Sequence, residues 1–118
     1  MVKKAHEQLG KPYVWGAEGS NSFDCSGLVH YVFGQNGIKT PRVSRDQYKV
    51  GKSVSKSNLQ SGDLIFSSSD SSGRVTHVGI YVGDGKMIHA PNSKGVVKKV
   101  DVNTSYWKNT YVGAKRIL

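Results

Sequence analysis

Apolar residues change their spacing partway along the 118-residue chain. Before Gly51 the period is helical. Val2, Ala5 and Leu9 lie near a three-to-four-residue spacing that stops at Gly10, which predicts a short helix over 2–9. Leu28, Val29, Val32 and Phe33 recur at i, i+1, i+4 and i+5, which predicts a second helix. It should begin between Ser22 and Cys25 and end by Gly34 to Gly37, with Asn36-Gly37 as the stop. Between these helices the segment Gly16 to Ser22 reads as a loop from its Gly, Ser and Asn content. Ser44-Arg45-Asp46-Gln47 matches a capping box and predicts a third short helix with Ser44 as its cap.

Beyond Gly51 the runs are short, β-branched or alternating. DLIF (63–66), THVGIYV (76–82), KMIHA (86–90), GVVKKV (95–100) and YVGAKRI (111–117) are separated by turn residues, as in an antiparallel sheet. Ser67 to Gly73 (SSSDSSG) reads as a flexible loop. The fold class is α+β, helices first, with no internal repeat, and the length suits a single domain over 1–118.

Register decides what the hairpin over 76–90 presents. A two-residue loop at Asp84-Gly85 would pair His89 with Ile80 and put His77 and His89 on opposite faces. A three-residue loop, Gly83-Asp84-Gly85, pairs His89 with Gly79. Val78, Ile80, Val82, Ile88 and Ala90 then share one face, and His77, Gly79, Tyr81, Met87 and His89 share the other. The clean aliphatic face selects the second register. It makes the histidines diagonal neighbours, with Gly79 leaving room for the rings to meet.

Composition narrows the picture. Apolar residues are 36% and charged residues 21%, and no apolar run approaches the roughly 18 residues of a membrane span. No basic start leads into an apolar leader core, so an export signal would lie outside this chain. Seventeen basic against eight acidic residues leave a net charge of +9, which favours polyanions. Nucleic acid, acidic lipid and anionic cell-wall polymers are all candidates, but the lysines are scattered and the aromatics are not interleaved with arginine, which argues against a nucleic-acid platform and favours a simple solvated basic surface.

The chain holds one cysteine, Cys25, which excludes an internal disulfide and a multi-cysteine zinc site. Cys25 can be a nucleophile, one ligand of a Cys-His-His metal site, or a small buried apolar residue. A nucleophile needs its proton removed, because few thiols are ionised near neutrality. Two aids are legible: the positive end of the helix that Cys25 opens, and a histidine base. His6 and His30 read as surface or structural residues. His77 suits the base and His89 the residue that fixes its tautomer and tilt, as in acyl-transfer triads. The backbone N–H of Cys25 is the natural first oxyanion donor.

The ordered segments GKPYVWG, DCSGLV, PRVSRDQ, GDLIF, HVGIYVG and MIHA resemble the NlpC/P60 family of cell-wall cysteine peptidases across residues 5 to 117. The resemblance implies a papain-like core, with N-terminal helices packed on a central antiparallel sheet. It implies the triad Cys25, His77 and His89. Tyr13 would lie near the thiol and assist the oxyanion site, and Asp24 and Ser26 would hold a free amino terminus of the substrate. Arg42 and Ser44 would stand near the cleft. Its typical activity is cleavage of peptidoglycan stem peptides between γ-D-glutamate and a diamino acid, without metal or cofactor. A monomer acting outside the cell or in the wall is expected. The alternatives are an amidase cutting between muramic acid and L-alanine, and a non-catalytic module that binds an anionic polymer. Trp15 reads as a core aromatic.

Overall fold

Asp24 starts the longest helix. Its backbone is extended and its side chain accepts the Gly27 N–H at 2.7 Å, so α2 (Cys25–Gln35) begins with the cysteine in its first turn. Leu28, Val29, Val32 and Phe33 on this helix have no solvent exposure. At about 2 kcal/mol each, that burial outweighs the few kcal/mol that two glycines and the valines cost a helix of this length. The computed structural model describes residues 2–69, 72–91 and 95–117.

The remaining elements are α1 (Val2–His6), α3 (Ser44–Gln47), β1 (Lys52–Val54), a 3₁₀ turn (Lys56–Asn58), β2 (Leu64–Ser67), β3 (His77–Gly83), β4 (Lys86–His89), β5 (Lys98–Asp101), α4 (Ser105–Thr110) and β6 (Tyr111–Arg116). The strands form one antiparallel sheet in the order β1-β6-β2-β3-β4-β5. The main core lies between this sheet and the α1/α2 layer, where Leu64, Phe66, Val78, Ile80 and Ile88 meet Leu28, Val32 and Phe33. A smaller core of Ile65, Met87 and Val102 covers the opposite face, with Trp107 and Tyr111 packed on it. Hence all four residues of β2 are buried, because odd and even positions each meet a core. No helix among the described residues is long and apolar enough to cross a membrane.

The α+β class stands, but "helices first" is corrected: α4 intervenes between β5 and β6. Its start is a threonine cap, Thr104, among polar residues that carry no helical apolar period. β1 was also not legible, since Lys52–Val54 is an edge strand with little buried surface. α1 ends at His6, short of the predicted Leu9, and the chain continues in turns to Gly10. The capping box is corrected too. Val43 is the cap residue of α3 and makes no side-chain cap bond. Gln47 turns inward instead, fully buried, with its amide nitrogen donating to the Pro41 and Ser26 carbonyls. Of the predicted loop 67–73, Ser67 closes β2, and Asp70 and Ser71 lie outside the described residues.

The hairpin has the predicted register by a different device. Ile80 pairs with Ile88 and Tyr81 with Met87, which carries His89 to Gly79. Gly83 pairs with Lys86, so the loop itself is the two residues Asp84 and Gly85, both at positive φ (55° and 72°). Val82 is the extra residue, absorbed as a bulge inside β3. The odd residue that the aliphatic face demanded is therefore in the strand, not in the loop.

Candidate active site

The helix start and the sheet end converge at one cleft of about 540 Å³. The walls bring together Tyr13, Asp24, Cys25, Ser26, Arg42 and Ser44 with His77. His89 stands behind His77: His77 Nε2 and His89 Nδ1 are 2.8 Å apart, with the rings nearly perpendicular at 88°. His77 Nδ1 is thus the imidazole nitrogen left to serve the cleft. Among the described residues no three His, Cys, Asp or Glu side chains converge in a geometry that could hold a metal ion.

Electrostatics of the thiol differ from what the helix start alone suggests. Burial pushes the Cys25 pKa up, and the nearby Asp24 charge pushes it the same way. The backbone N–H groups of Val78, Ser26 and Cys25 lower it without cancelling that rise. His77 is lowered by burial from 6.5 to about 4. His89 falls to about 3, first by burial and then by the charges of His77 and Lys98. The resting pair is therefore neutral thiol and neutral imidazole. Tyr13 is raised, chiefly by burial and next by Cys25, which puts its hydroxyl in the electrostatic reach of the sulfur.

Asp24 holds more than the helix. Its two oxygens accept from the Gly16 and Gly27 N–H groups, from Ser26 Oγ, and from Arg42 Nη1 and Nη2 at 3.1 and 2.9 Å. Arg42 also donates to Ser26 Oγ at 2.9 Å and to Glu18 at 2.7 Å. Arg42 thus bridges two carboxylates; Asp24 and Arg42 line the cleft together with Arg45, whereas Glu18, its side chain 54% exposed, stands outside it. Gly27 makes the packing feasible, because a Cβ there would stand 2.1 Å from the Ala17 carbonyl oxygen.

Three residues of the site escaped the sequence reading. Glu18 carried no signal beyond being the single acid in its loop; only the fold sets it beside Arg42, 24 positions away. Trp107 stacks on His77 at 5.7 Å and meets the His89 ring edge-on at 5.1 Å. Its one signal is Thr104, the cap three residues earlier. Trp15, predicted as core, is 86% exposed at the rim of the cleft, because the turn at Gly16 directs it outward from the bridge at Tyr13. His30 is structural, its Nδ1 bonded with the Thr40 carbonyl at 3.0 Å.

Residues 10–116 match the profile of the NlpC/P60 family. The chain is 44% identical over 99% of its length to a gamma-DL-glutamyl hydrolase of Bacillus subtilis, of which it covers 29%. It is 43% identical over 93% of its length to a gamma-D-glutamyl-L-lysine dipeptidyl-peptidase of Bacillus cereus, covering 33% of that protein. The crystal structure of an NlpC/P60 family protein from Bacillus cereus superposes on the whole chain with a TM-score of 0.92 at 39% identity, and the match takes in 40% of that chain. The chain thus spans well under half the length of these relatives.

Proposed function

The chain belongs to the NlpC/P60 family, and on that premise we propose that it is a peptidoglycan hydrolase, a cysteine endopeptidase that cuts stem peptides at the γ-D-glutamyl–diamino acid bond. The observation that carries this reading is one cleft lined by Cys25 and His77, with His77 held from behind by His89 at 2.8 Å. The relatives named for γ-glutamyl bonds support the bond class.

With both groups neutral at rest, proton transfer accompanies attack. The Cys25 S–H proton passes to His77 Nδ1 as sulfur bonds to the substrate carbonyl carbon. The mechanism uses the tautomer in which His77 Nε2–H donates across the 2.8 Å contact to His89 Nδ1, which leaves His77 Nδ1 free to accept. The carbonyl oxygen takes up negative charge beside the Cys25 N–H, with the Tyr13 hydroxyl as second donor. His77 then returns the proton to the leaving nitrogen as the C–N bond breaks, leaving a thioester on Cys25. Water gives a proton to His77 and attacks that thioester; the C–S bond breaks and the thiol regains its proton. Asp24, whose charge Arg42 only partly engages, and the hydroxyls of Ser26 and Ser44 supply acceptors for the ammonium of a free stem-peptide terminus, on a wall that Arg42 and Arg45 also line. The chain would act outside the cell, in the wall, where its +9 charge draws it to anionic polymers.

The test is mass spectrometry of muropeptides of the lysine and diaminopimelate types after incubation with the protein and with Cys25→Ala. New termini at the γ-D-glutamyl bond are expected from the first and none from the second, with circular dichroism unchanged. Undiminished cutting by Cys25→Ala would end the thiol mechanism, and a new L-alanine amino terminus would make the enzyme an amidase.

A further inference from the structure

A second cavity, about 350 Å³, continues from the cleft: Thr76, His77 and Pro91 belong to the walls of both. Its far wall supplies Ser69, His89, Lys98, Tyr106 and Trp107, and no carboxylate among the described residues lines it. Lys98 is paired directly with His89 across β4 and β5, so the two side chains share a face of the sheet. The cavity therefore combines an ammonium, hydroxyls and aromatic surface on the side of His77 away from the Asp24 cluster.

His89 adds a second, independent sign. If His77 Nε2–H donates to His89 Nδ1, the single proton of His89 sits on Nε2. That N–H is buried, on a residue 2% exposed, and has no partner among the described residues. A buried donor left unpaired costs about 1–3 kcal/mol, which an acceptor arriving with a ligand would remove.

We propose that this cavity is the leaving-side subsite and that it takes a carboxylate, the free carboxyl end of the fragment that departs as an amine. This rests on the acyl-transfer reading of the cleft. His77 hands its proton to the departing nitrogen, so that fragment begins beside His77 and runs into the cavity that His77 borders. Its carboxylate accepts from Lys98 and from the orphan His89 N–H, while Tyr106 and Trp107 cover its aliphatic part. The enzyme then favours short stems that end in a free acid.

Fluorescence of Trp107 reads the subsite without catalysis. In a Trp15→Phe background, L-lysyl-D-alanine is titrated beside its C-terminal amide. The acid is expected to bind about three- to tenfold more tightly, the range for one partly exposed ion pair joined by a charge-assisted hydrogen bond. Lys98→Gln is expected to bring the two dissociation constants together. Lys52→Gln removes the same charge from β1, at the opposite edge of the sheet, and should leave the ratio intact. Equal binding of acid and amide, a ratio that survives Lys98→Gln, or no saturable change with either peptide would each overturn the subsite. Cleavage of L-alanyl-γ-D-glutamyl-L-lysine is measured separately. A protein that shows the ratio but leaves this peptide intact counts against the peptidase reading and leaves the carboxylate site standing.

Discussion

Lowering the pH from 7.5 to 5 should destabilise the fold through His77 and His89. Both are neutral, His89 buried and His77 half-buried and desolvated by its surroundings, with pKa values lowered from 6.5 to about 4 for His77 and about 3 for His89. In the unfolded chain each takes up a proton near 6.5, so between these values the unfolded state binds more protons. Stability is then fully present above about 6.5 and is lost as pH falls toward the folded pKa values. At 1.36 kcal/mol per pH unit, each histidine accounts for about 2 kcal/mol over this range and the pair for about 4 kcal/mol. That is a large share of the roughly 5–15 kcal/mol of an ordinary domain. Urea unfolding at half-unit pH steps measures it, beside the double variant His77→Gln/His89→Gln. His6 and His30 remain in both proteins, so the difference between the curves isolates the pair. A double variant as steep as the parent between pH 5 and 7 would refute the claim that these imidazoles are desolvated and uncharged.

Further outcomes follow from the same geometry. A Cβ at Gly79 would sit 2.7 Å from Met87 Sδ and 3.4 Å from His89 Cβ, so Gly79→Ala should cost about 1–3 kcal/mol. Hydrolysis should fall further than the melting temperature explains; unchanged melting and rate would contradict the register. Trp107→Ala should open the imidazole pair to water and raise both pKa values toward 6.5 in an NMR titration, with Trp107→Phe retaining part of the depression. Titration identical to the parent would show that the indole does not shield the pair. Arg116→Met removes Nε and Nη2 donors, each 2.9 Å from the carboxylate of Asp63, which is 2% exposed. It should lower the urea unfolding midpoint, and Asp63→Asn/Arg116→Met should lower it less than the single change. A double variant less stable than the single would reject the charge-burial explanation.

Much of the site was legible because it is written in local rules. The apolar period of Leu28, Val29, Val32 and Phe33 behind a loop of Gly, Ser and Asn marks a helix start between Ser22 and Cys25, and that placed Cys25 in the first turn. The alternation of Val78, Ile80, Ile88 and Ala90 demanded that His77 and His89 share a face, and the strands obey it. Even here the means was hidden. Whether the odd residue enters the loop or the strand depends on φ at Asp84 and Gly85, not on which face is apolar.

What the sequence by itself determined is therefore whatever depends on neighbours a few positions apart: the periods of α2 and of strands β2 to β4, the start of α2 near Cys25, and the facing of the two histidines. Tertiary structure alone decided the rest. The Asp24–Arg42–Glu18 cluster spans 24 positions, and Trp107 reaches the imidazoles from a polar helix with no periodic signal. The resting charge of the site reversed for the same reason. A helix start favours a thiolate, but desolvation sums over everything packed around Cys25, and that sum keeps its thiol and the His77 imidazole neutral. Periodicity records which face of an element is buried; it carries no record of which distant side chains arrive to bury it.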